Sequence, residues 1–276
     1  MTSGTGWITG DAEAFTRDFL PLFRPVPPAR PGVCRICRSG PDNAGDTGGP
    51  RGICGSCERT TKNLYGHARH VIPISLTTTN AQLHDVLVRR RDPVGAGGRR
   101  RRADFLAATV AHFYDRHSRC LEGLAGGPFT LVATVPGNDP ETPATAFHLM
   151  WQVVEKVPAL ARLWRPLLLE PDTAFAPVLA GRRSHRDAFL IPRADRLSAA
   201  RVLLVDDLFV SGAHVQSAAS ALIEMGAEAV VALVIARLIN PASRDGHGTG
   251  LWEESCQRPF SFDRCCVCDP AAHGAA

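Results

Sequence analysis

The stretch R-V-L-L-V-D-D-L-F-V-S-G-A-H-V-Q-S-A-A-S-A-L, Arg201 to Leu222, constrains the fold more than any other part of this chain. A run of buried-strand character, Val202–Val205, delivers two adjacent carboxylates, Asp206 and Asp207, to its carboxyl end. A short loop holding Ser211 and Gly212 then opens an amphipathic stretch, Ala213–Met225. Val215, Ala218, Ala219 and Leu222 form an apolar stripe there, opposed by Gln216, Ser217, Ser220 and Glu224. Gly226 supplies the stop. Strand, loop and helix in that order are the opening of a parallel unit, and open α/β sheets bind ligands at the carboxyl ends of their strands. The free amides and dipole of the helix start suit an anion, and glycine lets the backbone approach it closely. Carboxylates for hydroxyls or a Mg²⁺ beside amides for a phosphate suit a sugar phosphate. An acidic pair after a strand also occurs as a solvated turn or a cap. A response-regulator receiver places its pair early in the domain, whereas only 69 residues follow Asp207. No G-x-x-x-x-G-K-[ST] loop is present.

The rest of the middle region repeats the alternation. Thr130–Val135, Pro166–Leu169 and Val230–Ala236 have the length and branched content of buried strands. Ala81–Arg90, Asp104–Arg116 and Ala144–Val157 carry apolar residues at helical spacing. The expected fold class is α/β, a parallel sheet flanked by helices, with a small cysteine-bearing module at its N-terminus. Texture divides the chain into a Gly/Pro-rich module over residues 1–65, an α/β domain over 66–240 and a Cys-rich tail over 241–276.

Nine cysteines, an odd number, argue against a complete disulfide framework. Cys34-x2-Cys37 and Cys54-x2-Cys57 have the spacing of a four-cysteine zinc site, and four thiolates leave no open position, so the ion is structural. It would hold a segment too rich in Gly and Pro to build its own core. The tail offers Cys256, Cys265, Cys266, Cys268 and His273, from which a second zinc set, Cys256, Cys265, Cys268 and His273, can be drawn; incidental or disulfide-prone thiols are the alternative. Cys120, near the end of an amphipathic helix, reads as a small buried hydrophobe.

The segment around Asp206 resembles the 5-phosphoribosyl-1-pyrophosphate (PRPP) signature of type I phosphoribosyltransferases: a hydrophobic run, D-D, two apolar residues and a T-T-G-x-T-like loop. The resemblance implies that Asp206 and Asp207, on which catalysis rests, contact the ribose hydroxyls. It also implies that Val210, Ser211, Gly212, Ala213 and His214 wrap the 5′-phosphate. Val210 stands for a usual hydroxyl residue, and His214 for a small Thr or Ser, where it either donates to the phosphate or crowds the pocket. With zinc-type cysteines ahead of such a domain, the chain looks like the ComF family. Gln82–Asp92 resembles that family's H-x-x-K stretch, and Arg183–Phe189 its R-N-x-x-x-A-F segment, with Ser184 in the asparagine position. Val135–Asp139 is the natural pyrophosphate loop, with amides near Gly137. It lacks the family's arginine, which Arg182, Arg183 and Arg186 would replace from a lid-like stretch or else lie solvated on a surface loop. The activity implied is phosphoribosyl transfer from PRPP, with Mg²⁺, to a nitrogen acceptor. The alternative is a degenerate PRPP or nucleotide sensor, or a protein associated with nucleic acid in DNA uptake.

The net charge of +4 is carried by arginine, since Lys62 and Lys156 are the only lysines. Seven arginines fall within residues 89–102, a cluster that can neutralise phosphates but reads first as a solvated loop between helices, without the aromatic interleaving of single-strand binders. The longest apolar run, Ala229 to Ala236, is too short for a membrane span, and no basic-then-apolar leader opens the sequence. A cytoplasmic protein without a membrane partner is the expectation.

Overall fold

A computed structural model describes residues 6–7, 9–40, 52–88, 96–137, 149–191, 197–241 and 247–269. Its strands are β1 (His70–Thr77), β2 (Leu131–Thr134), β3 (Glu170–Pro171), β4 (Phe189–Leu190), β5 (Arg201–Phe209) and β6 (Ala229–Leu238). Its helices are α1 (Thr9–Thr16), α2 (Gly55–Thr60), α3 (Gln82–Val88), α4 (Ala96–Ala125), α5 (Leu149–Glu155), α6 (Pro158–Ala161), α7 (Ala176–Ala180), α8 (Ala213–Glu224) and α9 (His247–Gln257). Four strands make one parallel sheet in the order β1-β6-β5-β2, and β3 and β4 form a separate antiparallel pair. The fold is therefore α/β, with a parallel sheet flanked by helices.

Both faces of the sheet are covered, which is why β5 and β6 read as continuous Val/Leu/Ile/Ala runs rather than as alternating patterns. One face packs on α1, α4, α5 and the C-terminal tail, through Phe23, Leu106, Val110, Phe113, Val153 and Phe262. The other packs on α8 and on the segment bearing Cys34, Cys37, Cys54 and Cys57, which belong to the same buried cluster as Val202, Leu204, Ala219 and Val234. The cysteine segment is thus a wall of the main core.

Three expectations are revised by the fold. Pro166–Leu169 is not a strand: Leu167 takes a left-handed φ of 58° and stands 42% exposed, turning Leu168 and Leu169 inward. The fourth strand is β1, whose Pro73 disguises it; a proline without N–H is tolerated because β1 is an edge of the sheet, with β6 as its one neighbouring strand. The Arg99–Arg102 run is helical, lying in the first turns of α4, in keeping with the good helix propensity of arginine. Arg89–Arg91 lie outside the described residues.

The polar stripe of α8 is also not a solvent face. Gln216, Ser217 and Ser220 are fully buried. Gln216 exchanges two hydrogen bonds with the backbone of Ala68, at 2.9 and 3.1 Å. Ser217 Oγ accepts from the His185 amide at 2.9 Å and Ser220 Oγ from the Tyr65 amide at 3.0 Å. These side chains satisfy loop amides that would otherwise be buried without partners. Among the described residues, no helix is long and apolar enough to cross a membrane.

Candidate functional site

At the carboxyl ends of β2 and β5 a cleft of about 350 Å³ opens. Its walls are Val135–Gly137, the end of α3 (Leu87 and Val88), Arg182 after α7, and the continuous stretch Asp206–Val215. Of the residues singled out in the sequence, Asp206, Asp207, Val210, Ser211, Gly212, Ala213, His214, Gly137 and Arg182 meet on this one cavity. Arg183 is exposed and does not line it. Arg186 turns away, with its guanidinium 5.2 Å from the centre of the Tyr65 ring and 3.6 Å from Asp187. Ser184 donates to the Thr60 carbonyl at 2.8 Å, so it fastens α2 rather than facing the cleft. Residues 138 and 139 of the second loop lie outside the described residues.

Volume does not select this site. A hollow of about 780 Å³ between α4 and residues 157–163 is larger, but Phe129 on its wall puts it near the amino end of β2, where parallel sheets do not ordinarily bind ligands.

β5 runs through the acidic pair to Phe209, so pleating sends Asp206 and Asp207 to opposite faces. Asp206 is half-buried and its Oδ1 accepts from the Asp207 amide at 3.0 Å; Asp207 is buried. The turn that follows depends on Gly212. It caps α8 with φ +91° and no side-chain hydrogen bond, leaving the positive end of the helix dipole facing the cleft. Ser211 Oγ accepts from the Ala213 amide at 3.3 Å.

Arg237, at the end of β6, lies beneath the loop. Residue pairing sets it opposite Phe209, and it is 5% exposed. Its Nη1 donates to the carbonyls of Phe209 (3.1 Å), Val210 and Leu238 (2.6 Å), and its Nη2 to Ser39 Oγ at 3.4 Å. Its guanidinium also stands 5.1 Å from the centre of the Phe209 ring. Burial works against its charge, but the neighbouring sulfurs, Cys37 foremost and then Cys54 and Cys57, outweigh that and raise its pKa. One side of Arg237 therefore faces the four-cysteine group, and the other holds the loop on the cleft. The sequence signal for it is a lone charge closing a buried strand.

The Sγ atoms of Cys34, Cys37, Cys54 and Cys57 all lie within 4.8 Å of one another, and all four residues are buried. Cys37 and Cys54 are 3.7 Å apart. A tetrahedral Zn²⁺ with bonds of ~2.3 Å requires sulfur separations of about 3.8 Å. Crowding splits the thiols. For Cys34 the contact with Cys37 opposes ionisation most, but Cys54 and Cys57 outweigh it and bring its pKa to about 7. For Cys37 burial opposes most, and its three sulfur neighbours with Arg237 carry it well below the ordinary thiol value. Cys54 and Cys57 are pushed up, chiefly by Cys34. A divalent cation resolves that competition by stabilising every thiolate at once. The group can hold a structural zinc.

A second group also has zinc-binding donors, with a different membership from the tail-only set. His117, Cys120, Cys265 and Cys268 have their donor atoms within 4.8 Å of one another. Cys256 is exposed on α9 and is no member, His273 lies outside the described residues, and Cys120 is a member rather than a packing residue. The ligands that sequence reading missed, His117 and Cys120, sit on a helix far from the tail in sequence.

Comparison of the chain with protein-family models, with curated proteins and with solved structures finds no match.

Proposed function

We propose that the chain is a phosphoribosyltransferase of the ComF-like, type I kind, binding PRPP with Mg²⁺ and transferring its phosphoribosyl group to a nitrogen nucleophile with release of pyrophosphate. The observation that carries this reading is the convergence on one cleft of an acidic pair and a glycine-capped helix start, both delivered by β5. Backbone amides of the Ser211–His214 turn and the α8 dipole suit a 5′-phosphate. The carboxylates of Asp206 and Asp207 suit ribose hydroxyls and are the hard oxygen donors that would hold Mg²⁺, whose chemistry is to screen the pyrophosphate charge. The chain's own part is to fix the ribose and keep carboxylate charge near C1 as its bond to pyrophosphate breaks with oxocarbenium character. Positioning and charge stabilisation supply the acceleration.

Titration of PRPP and Mg²⁺ into the protein by calorimetry is expected to show binding. Asp206→Asn combined with Asp207→Asn should weaken it by about 100-fold, the loss of two charge-assisted contacts of ~1.5 kcal/mol each. No heat from the wild-type chain would overturn the reading.

One observation favours a second reading, a PRPP-type sensor without turnover. Among the described residues lining the cleft, Arg182 is the sole arginine or lysine, which is sparse for a pyrophosphate. Binding without pyrophosphate release, across a panel of nucleobases, would select the sensor.

A further inference from the structure

The C-terminal tail returns to α4 and completes a metal-ligand set there. His117 and Cys120 lie one turn apart on α4, at the i, i+3 spacing that puts two side chains on one face. Cys265 and Cys268 lie at the same spacing on a turn of the tail, where the Cys265 carbonyl accepts from the Asp269 amide at 2.9 Å. The Val267 amide donates to Cys265 Sγ at 3.4 Å, which fixes that sulfur on the turn.

Two of the donor separations fall at the edge length of a zinc tetrahedron and a third is a few tenths of an ångström longer. Cys265 Sγ and Cys268 Sγ are 3.5 Å apart, Cys268 Sγ is 3.6 Å from His117 Nδ1, and Cys120 Sγ is 4.0 Å from the same nitrogen. Zinc with sulfur bonds of ~2.3 Å and a nitrogen bond of ~2.0 Å sets edges between about 3.5 and 3.8 Å. The 3.5 Å pair is far beyond the roughly 2.05 Å of a disulfide.

The orientation of His117 is the second, independent observation. Its Nε2 lies 2.7 Å from the Phe262 carbonyl, which can only accept, so the ring proton sits on Nε2 and the Nδ1 lone pair faces the three sulfurs. A ligand histidine fixed through its other nitrogen by a carbonyl is the usual outer support of a zinc site. The carbonyl belongs to the tail, and Phe262 packs face to face with His112, ring centres 4.1 Å apart. Aromatic packing thus holds the tail against α4 beside the ligand set.

We propose that His117 Nδ1, Cys120, Cys265 and Cys268 bind a second structural Zn²⁺, which clamps the C-terminal tail to α4. Three soft sulfurs and an imidazole exclude Mg²⁺ and Ca²⁺ from this set. Cys268, the exposed member, gives the ion its route in.

The test is elemental analysis of the purified full-length chain, after desalting, with Cys268→Ser as the main variant because its exposed side chain has little packing to lose. Two zinc ions per wild-type chain and one in Cys268→Ser and in Cys120→Ser are expected, while Cys256→Ser keeps two. X-ray absorption at the zinc edge should report seven sulfurs and one nitrogen over the two ions, the donors of the two sets together. Circular dichroism checks that each variant is folded; a variant that unfolds is replaced by His117→Cys, which retains four donors and should keep two ions with the nitrogen gone. One zinc in the wild-type chain with none lost in Cys268→Ser, a Cys265–Cys268 disulfide in chain purified under reductant, or loss of an ion in Cys256→Ser would each overturn the proposal.

Discussion

Replacing Arg237 with methionine is expected to destabilise the protein by about 3–5 kcal/mol, the range found when one member of a buried charge pair is removed and the other remains. Methionine fills much of the same volume, so the loss is electrostatic more than steric. Two thiolates beyond the charge of a bound zinc leave a net negative centre in the core, and Arg237 is the buried cation that Cys37, Cys54 and Cys57 face. Removing it also frees the carbonyls of Phe209 and Val210, which form the floor of the cleft loop. Chemical denaturation should show the lowered midpoint, and chelator competition should strip one zinc faster than from the wild type. Arg237→Lys separates charge from geometry: an ammonium restores the charge but not the planar fork, so zinc retention should recover more than PRPP affinity does. A methionine variant that unfolds with the wild type and holds its metal as tightly would show that the cysteine centre and the loop are not connected through this residue.

What the sequence made legible is what is local in it. The β5–loop–α8 unit is contiguous, so its hydrophobic run, acidic pair and glycine can be read in one pass, and the two Cys-x2-Cys pairs identify each other by spacing. The features that escape are those created when distant segments meet. Arg237 acquires its role only because β6 pairs with β5 and sets it opposite Phe209. His117 and Cys120 are one face of an amphipathic helix until the tail, about 145 residues on, comes to lie against them. The stripe of Gln216, Ser217 and Ser220 has the composition of a wet surface, yet burial finds it bonded to loop amides from Tyr65, Ala68 and His185. A polar face signals hydrogen-bonding capacity, and the rest of the chain decides whether water or backbone meets it. Pro73 misleads in the opposite sense, since the rule against proline in sheets lapses at an edge.

Gly212→Ala is expected to be the most damaging single-methyl change in the cleft. Two separate terms act at this position. A φ of +91° is a conformation that an L side chain adopts only at a penalty of about 1–2 kcal/mol. The added Cβ would also stand 2.5 Å from Cζ of Phe209, with two more ring carbons at 3.1 and 3.2 Å. The ring cannot swing clear, because Phe209 is 1% exposed and lies against the Arg237 guanidinium. Overpacking of that kind adds about 1–3 kcal/mol, so the whole change should lower the melting temperature by roughly 3–9 °C in a chain of this size. The terms can be told apart with a second substitution. Phe209→Leu in the Gly212→Ala background removes the ring but not the backbone strain, so only part of the stability should return. PRPP affinity should stay low in both variants, since a backbone that relaxes toward negative φ turns the helix-start amides away from the cleft. Alanine that melts with the wild type would mean the turn relaxes freely, and the helix start would then not be the rigid anion seat that the proposed activity needs.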